Sequence, residues 1–262
     1  MGEDDLRASL RGRLDAGGRI FVPYVTGGLP SVDAELLRGV AKAGADAIEV
    51  GIPFSDPVID GAVIQTASQL ALEAGATPSK VLGTIAEAAI DVPVVVMTYL
   101  NPVYRHGMEG FLREAVEAGV SGVIVPDLPV DEASEWIVAC SSAGLAPVFL
   151  AAPGTSDARL RDVASASRGF VYCVATYGVT GERAALEETS RALVERLRPF
   201  ATEPLIVGVG IGTPSQATEA CGFADGVIVG TAIVRALLED GPDAMVARVS
   251  AFRDAIPLGA GA

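Results

Sequence analysis

Three carboxylates stand close together in the segment IEVGIPFSDPVIDG (48–61), and their placement suggests acid/base chemistry. Glu49 falls inside an apolar run typical of a buried strand, and Asp56 and Asp60 follow in a loop rich in Gly and Pro. Strand periodicity places Glu49 on a face with small residues, pointing toward the inside of the fold. Burial disfavours the charged form of a carboxyl group and raises its pKa, which suits proton transfer near neutral pH.

Two other interpretations of these carboxylates remain open. A buried ion pair would also explain Glu49, but it requires a Lys or Arg facing inward, and the predicted strand cores contain none. Ordinary loop polarity would explain Asp56 or Asp60 taken singly. The position of Asp60 just after the strand that carries Glu49 favours a functional role.

The scarcity of lysine and histidine excludes several mechanisms. The two lysines, Lys42 and Lys80, fall in predicted outer helices, whereas the chain has 17 arginines. A Schiff-base aldolase or a pyridoxal enzyme needs a lysine that reaches the site. With one histidine, His106, and three cysteines without a C-x-x-C pair, a zinc site or a Ser-His-Asp system has little support. No metal and no cofactor are expected, and carboxylate catalysis remains.

The elements that must position these groups alternate between strand and helix along the whole chain. Eight short apolar strands are predicted at 19–25, 46–51, 92–99, 122–127, 146–151, 169–175, 204–210 and 225–230. Strict alternation indicates a parallel sheet, and eight units predict a closed (β/α)8 TIM barrel, with extra helices at both ends and one domain over 1–262. The runner-up is an open, doubly wound sheet, but no G-x-G-x-x-G follows the first strand. In such barrels the working residues lie at the C-terminal strand ends.

Glycine-rich segments follow the last three predicted strands, at 177–181, 208–214 and 229–234. Backbone N–H groups that converge there, together with the helix that opens at Gly230 and Thr231, predict a phosphate cradle. Simple turn glycines are the alternative.

Three of the five tyrosines, Tyr24, Tyr99 and Tyr172, fall near the C-terminal ends of predicted strands. Core packing can explain any one of them. Together they favour a flat, amphipathic ligand at that end of the barrel.

Composition and charge restrict the partners and the location. The chain has 262 residues, is 50% hydrophobic and carries a net charge of −14, which argues against nucleic acid or an anionic membrane surface as a partner. No apolar stretch of membrane-spanning length is present, and the charged N-terminus lacks the apolar core of a signal peptide. These features predict a cytoplasmic protein.

The segment IEVGIPFSDPVIDGAVIQ (48–65) resembles the signature of the tryptophan synthase alpha subunit family. Further matches are FVPYVTGGLP (21–30), MTYLNPV (97–103), VPDLPVDE (125–132), GVTG (178–181) and VGTAIV (229–234). The resemblance implies a (β/α)8 barrel that cleaves indole-3-glycerol phosphate to indole and glyceraldehyde 3-phosphate. In this family the reaction is a retro-aldol cleavage without lysine or metal.

The resemblance also implies roles for individual residues. Glu49 matches the acid/base glutamate that handles the proton at indole C3 and the glycerol hydroxyl, and Asp60 matches the aspartate that holds the indole N–H. Thr180 matches a lid residue that meets this aspartate on closure. Positions around the indole are matched by Tyr24, Ile64, Tyr99, Leu150 and Tyr172. The phosphate cradle is matched by Gly181, Gly210, Gly230 and Thr231.

The same resemblance implies a partner, the tryptophan synthase beta subunit, in an alpha-beta-beta-alpha complex. Pro53, Asp56 and Asn101, in the loops after the second and third strands, would face it. The chain departs from the family pattern at Ala62, where proline is frequent, and at Ala175, Thr176 and Tyr177 before the lid. These departures bear on loop closure and on coupling to the partner.

Three alternatives follow from these departures and from the fold. A stand-alone lyase would release free indole, and a catalytically weak paralogue would act mainly as an allosteric subunit. Intact Glu49 and Asp60 argue against the weak paralogue. A phosphate-sugar isomerase could use the same barrel, but it would not explain the match across the Asp60 loop.

Overall fold

The computed structural model describes residues 2–174, 183–208 and 210–259, which form a nearly closed parallel barrel. Its strands among these residues are β1 (Ile20–Thr26), β2 (Ile48–Gly51), β3 (Val94–Met97), β4 (Val120–Ile124), β5 (Ala146–Val148), β6 (Leu150–Ala151), β7 (Val171–Cys173), β8 (Leu205–Val207) and β9 (Gly226–Val229). They pair in the order β5-β4-β3-β2-β1-β9-β8-β7-β6. The predicted (β/α)8 barrel is confirmed.

The fifth predicted strand, 146–151, is interrupted at Phe149, so that it counts as the two short strands β5 and β6. The N–H of Phe149 donates to the Ser167 hydroxyl at 3.3 Å instead of to a neighbouring strand. β5 pairs with β4, and β6 pairs with β7. The prediction of one continuous strand was therefore wrong by one residue, while its place in the barrel was right.

Helices surround the barrel and cover its ends. They are α1 (Glu3–Asp15), α2 (Ala34–Lys42), α3 (Ala62–Glu73), α4 (Pro78–Ala88), α5 (Leu100–His106), α6 (Met108–Glu117), α7 (Ser134–Ala143), α8 (Asp157–Ala166), α9 (Arg183–Leu197), α10 (Pro214–Cys221), α11 (Thr231–Asp240) and α12 (Pro242–Ala255). A short 3₁₀ turn, Val130–Glu132, precedes α7. Within the described ranges, no helix is long and apolar enough to cross a membrane.

The core follows from strands that are covered on both faces. All seven residues of β1 are buried, as are the four residues of β2. Such strands must be apolar on both sides, because one side packs inside the barrel and the other against the helices. At the N-terminal end of the barrel, α1 inserts its fully buried Leu6 and Leu10.

A cluster of charged residues around Asp46 secures this N-terminal end. Asp46, two residues before β2, accepts from Arg13 Nε at 2.7 Å, Arg253 Nη1 at 2.8 Å and the N–H of Phe21 at 2.9 Å. These bonds join α1, β1 and α12 to the start of β2. Loss of one member would leave a buried charge without its partner, which is the costly event for such clusters.

Polar side chains cap the starts of several helices. Thr213 caps α10, and it forms a reciprocal capping box with Gln216. The cap of α2 is Asp33 and not Ser31, two residues earlier. The N–H of Val32 bonds to the Leu29 carbonyl in a turn, and Asp33 caps the helix by accepting from the N–H of Leu36 at 2.9 Å.

Ala89, at the C-terminal end of α4, has left-handed backbone angles of φ 45° and ψ 50°. This conformation costs a residue with a Cβ about 1–2 kcal/mol. We therefore expect Ala89→Gly to stabilise the chain by up to about 1 kcal/mol after the greater chain entropy of glycine is subtracted. The measurement is the urea midpoint of unfolding.

Ala74 provides the matched control, because it is also exposed and also follows a helix but has ordinary angles of φ −77° and ψ 0°. Ala74→Gly should lower the midpoint. A lower midpoint for Ala89→Gly as well would show that the left-handed conformation carries no strain.

Candidate active site

Glu49 lies on β2 with Tyr24 of β1 and Val95 of β3 as its register partners. Its side chain is only 1% exposed, and no group in the described part of the chain hydrogen-bonds its Oε2. Burial, and to a smaller extent the nearby charge of Asp60, together raise the pKa of Glu49 to about 8. The alternative of a buried ion pair finds no support among these residues.

Asp60 lies half-buried in the loop between β2 and α3. Its Oδ2 accepts a 3.2 Å hydrogen bond from the phenol of Tyr99, and its carbonyl accepts a 2.8 Å bond from Gln65 Nε2. Burial raises the pKa of Asp60 and the hydrogen bond from Tyr99 lowers it, and the net result is a pKa of about 6. The two predicted catalytic carboxyl groups are thus close enough to influence each other, and their pKa values differ.

Two tyrosines lie beside this pair because glycines leave room for them. The hydroxyl of Tyr24 lies over Gly51, where a Cβ would approach within 2.0 Å of it. The hydroxyl of Tyr172 donates to the Gly208 carbonyl at 3.0 Å, and its ring likewise occupies the space of a Cβ there. Burial raises the pKa of both phenols well above the usual value, so both remain neutral.

The predicted phosphate side lies at the ends of β8 and β9. Gly210 has φ +83° and is exposed, as is Thr231, the first residue of α11. Gly230 is the N-cap of α11 and offers no side-chain cap, so the helix start presents backbone N–H groups in the manner of an anion site. In the preceding loop, Gln216 Oε1 accepts from the N–H groups of Gly212 and Thr213 at 2.7 and 2.9 Å.

The other predicted residues are placed as follows. Ile64 is buried in the first turn of α3, and Leu150 is half-buried in β6. Asp56 is exposed on the loop after β2, but Pro53 on the same loop is buried. Asn101 is exposed in α5, so the prediction that it lies in a loop was wrong. Thr180, Gly181 and the departures at Ala175, Thr176 and Tyr177 lie outside the described residues.

Two residues near the site were missed from the sequence. Phe54 packs its ring against that of Tyr99, with centroids 5.1 Å apart. Asp127, in the loop after β4, accepts a 2.9 Å hydrogen bond from the N–H of Leu100. The only sequence signal for either is its place within a matched motif, since both contacts join separate loops.

The arrangement provides two carboxyl groups, neutral phenols and a helix start. In the described ranges no group of three or more His, Cys, Asp or Glu could hold a metal ion. Because Glu49 holds a proton near neutral pH and Asp60 is largely ionised there, the site can transfer a proton through Glu49 and accept a hydrogen bond at Asp60.

The family model of the tryptophan synthase alpha chain matches residues 13–257. The chain belongs to this family. The tryptophan synthase alpha chain of Streptomyces coelicolor is 46% identical over 239 residues, which cover 90% of this chain and 84% of the relative. That of Methanosarcina mazei is 43% identical over 243 residues, covering 92% and 86%.

Solved structures of tryptophan synthase have the same fold as this chain. Tryptophan synthase from Mycobacterium tuberculosis has a TM-score of 0.90 at 36% identity, covering 97% of this chain and 98% of that chain. Tryptophan synthase subunit alpha from Legionella pneumophila has a TM-score of 0.88 at 32% identity, covering 97% and 98%. As a member of the tryptophan synthase alpha family, the chain is a carbon–carbon lyase that cleaves indole-3-glycerol phosphate, as the resemblance implied.

The pKa of Glu49 predicts how stability depends on pH. The folded chain holds this proton up to pH about 8, whereas the ordinary pKa is 4.5, so the folded state loses relative stability as pH rises through that window. Glu49→Gln removes the effect. We expect the variant to gain free energy of unfolding over the parent from pH 5 upward, by on the order of a few kcal/mol above pH 8. Urea unfolding at a series of pH values measures the difference.

Glu203 is the matched control, because it is also buried but its Oε1 pairs with Arg7 at 3.0 Å. Glu203→Gln should bring no such gain. A constant difference between Glu49→Gln and the parent across the whole pH range would contradict the raised pKa.

Proposed function

We propose that Glu49 and Asp60 carry out the cleavage of indole-3-glycerol phosphate as two carboxyl groups in opposite protonation states. The observation that carries this proposal is that Glu49 is buried with no hydrogen bond to its Oε2, whereas the nearby Asp60 is half-buried and accepts a hydrogen bond from Tyr99. These environments raise the pKa of Glu49 to about 8 and that of Asp60 to about 6. Near pH 7 Glu49 is then mostly protonated and Asp60 mostly ionised. Environments that separate the pKa values of two carboxyl groups in this way assign one as the acid.

The proposed reaction begins at the ring. The Asp60 carboxylate accepts a hydrogen bond from the indole N–H and so stabilises positive charge on the ring nitrogen. The Glu49 carboxyl group donates its proton to indole C3, and the ring becomes an iminium ion. The new Glu49 carboxylate is then placed to act as a base.

The carbon–carbon bond breaks in the second half. Glu49 removes the proton from the hydroxyl on the carbon attached to the ring, and the oxygen electrons form the carbonyl of glyceraldehyde 3-phosphate. The electrons of the broken bond enter the ring and neutralise the nitrogen, which restores aromatic indole. Glu49 ends protonated, as it began, so no metal or cofactor is needed.

The substrate is proposed to lie across the C-terminal end of the barrel. Tyr24, Ile64, Tyr99, Leu150 and Tyr172 would surround the indole. The phosphate would bind the N–H groups of Gly210, Gly230 and Thr231, with Gly181 and the lid residue Thr180 from the segment outside the described residues. Because Gln216 already occupies the N–H groups of Gly212 and Thr213, the start of α11 is the better anion site of the two loops.

A beta subunit is the proposed partner, in an alpha-beta-beta-alpha complex. The mouth of the barrel exposes Val58 to 79% on the loop after β2 and Tyr104 to 64% on α5, next to the exposed Asp56 and Asn101. Large exposed apolar side chains with a polar rim are typical of interaction surfaces. Pro53, being buried, would act there through the shape of the loop. The cytoplasmic location and the single domain over 1–262 stay predictions.

We expect Glu49→Gln to fold and to bind substrate but to lose about 10²-fold or more in kcat, the usual scale for a positioned acid/base group. Glutamine keeps the size of the side chain but cannot exchange the proton with C3. Steady-state lyase kinetics measure the change, with Glu203→Gln as the control that should keep the parental rate. Turnover of Glu49→Gln near the parental value would remove Glu49 from the mechanism.

We expect low lyase activity for the chain alone and roughly 5- to 150-fold activation by a cognate beta subunit, which corresponds to a coupling of about 1–3 kcal/mol. Val58→Asp should abolish this activation by placing a charge at the apolar mouth. Val138→Asp is the control, since Val138 is 65% exposed but lies in α7 on the outside of the barrel. The measurement is the lyase rate against added beta subunit.

The same titration separates the alternatives. Full activity of the chain alone, with no complex formed, would favour the stand-alone lyase. Negligible activity both alone and in a complex would favour the weak allosteric paralogue.

A further inference from the structure

Asp127 joins two loops at the mouth of the barrel. It lies in the loop after β4, and its Oδ1 accepts a 2.9 Å hydrogen bond from the N–H of Leu100, the first residue of α5. Tyr99, the N-cap residue of that helix, does not cap the helix with its own side chain. Asp127 thus provides, from a different loop, a charge-assisted cap that the local sequence lacks.

Tyr99, the N-cap residue, contacts Asp60, one of the two candidate catalytic carboxyl groups. The hydroxyl of Tyr99 donates to Asp60 Oδ2 at 3.2 Å and accepts from the N–H of Ile59 at 3.3 Å. Its ring packs against Phe54 from the same loop as Asp60. The backbone that Asp127 holds therefore carries the side chain that holds Asp60.

We propose that Asp127 is a positioning residue for Asp60 and that it acts by fixing the start of α5 and, through it, the phenol of Tyr99. The loops after β2, β3 and β4 then behave as one unit. The effect of Asp127 on the rate rests on the role proposed above for Asp60, whereas its effect on the position of Tyr99 does not.

A change at Asp127 should alter the ionisation of Asp60. The hydrogen bond from Tyr99 lowers the pKa of Asp60 against the larger opposing effect of burial. When Tyr99 is held less firmly, that pKa should rise above about 6 and less carboxylate should be present near neutral pH. Among the described residues, the other titratable groups that interact with Asp60 are Glu49, Tyr24 and Tyr172, and a substitution at Asp127 leaves all three in place.

The first measurement is the titration of Asp60 itself, by ¹³C NMR of its carboxyl carbon in the folded chain without substrate. In Asp127→Ala, which loses the acceptor, the Asp60 pKa should rise. In Asp127→Asn, which keeps an acceptor oxygen but loses the charge, the rise should be smaller. Asp131→Ala is the control, because Asp131 lies four residues further along and pairs with Arg159, so the Asp60 pKa should stay at its parental value.

The second measurement is lyase kinetics across pH. Asp127→Ala should lose roughly 2- to 30-fold in kcat/KM, the scale of a lost helix cap. The acidic limb of its kcat/KM–pH profile should move to higher pH. Asp127→Asn should lose less and Asp131→Ala nothing. Combined with Tyr99→Phe, Asp127→Ala should add little, because both changes remove one and the same interaction.

Each result decides the proposal. A raised Asp60 pKa in folded Asp127→Ala, with the control unchanged, supports it. An unchanged Asp60 pKa in both folded Asp127 variants, or effects of Asp127→Ala and Tyr99→Phe that add fully, would overturn it. If the parent shows no lyase activity, the proposed function fails, but the NMR titration still decides whether Asp127 positions Tyr99 and Asp60.

Discussion

Burial of one carboxyl group without a cation is the constraint on which the site depends. Glu49 is held in a strand of the barrel wall, and the described residues give its Oε2 no hydrogen-bond partner. A group in that state favours its neutral form and so keeps a proton available near pH 7. A lysine or arginine nearby would stabilise the chain but would also remove the proton. The absence of basic residues from the strands is therefore as important for the chemistry as Glu49 itself.

Strand β2 has a compensated carboxylate just before it and an uncompensated one within it. Asp46, just before the strand, is buried with two arginines and a backbone N–H, so its charge is fully compensated. Glu49, three residues later, is buried without compensation. The bonds of Asp46 secure the start of the strand against α1 and α12, and that rigidity lets the strand retain a buried carboxyl group that by itself favours unfolding. This division agrees with the general separation in such barrels of a stabilising face from a catalytic face.

Local patterns in the sequence predicted what depends on local geometry. Strand periodicity was sufficient to predict that Glu49 lies on a buried face, because the side chains of a strand alternate between its two faces. Contacts between distant segments were not predictable. The break at Phe149 depends on Ser167, and the cap of α5 depends on Asp127 from the next loop. Both are single hydrogen bonds across the fold, and neither has a signal in one sequence.

The distinction between local patterns and contacts across the fold also applies to the loop that carries Asp60. A proline after Asp-Gly, frequent in the family, would preset the backbone at the first residue of α3. This chain has Ala62 there, and the N-cap Gly61 makes no side-chain hydrogen bond. The position of Asp60 must therefore depend more on other contacts, namely a local bond from Gln65 to its carbonyl and a tertiary bond from Tyr99 to its carboxylate. Where local sequence restrains a catalytic loop less, the contacts that join it to neighbouring loops carry more of its positioning, and the site becomes more sensitive to whatever fixes Tyr99.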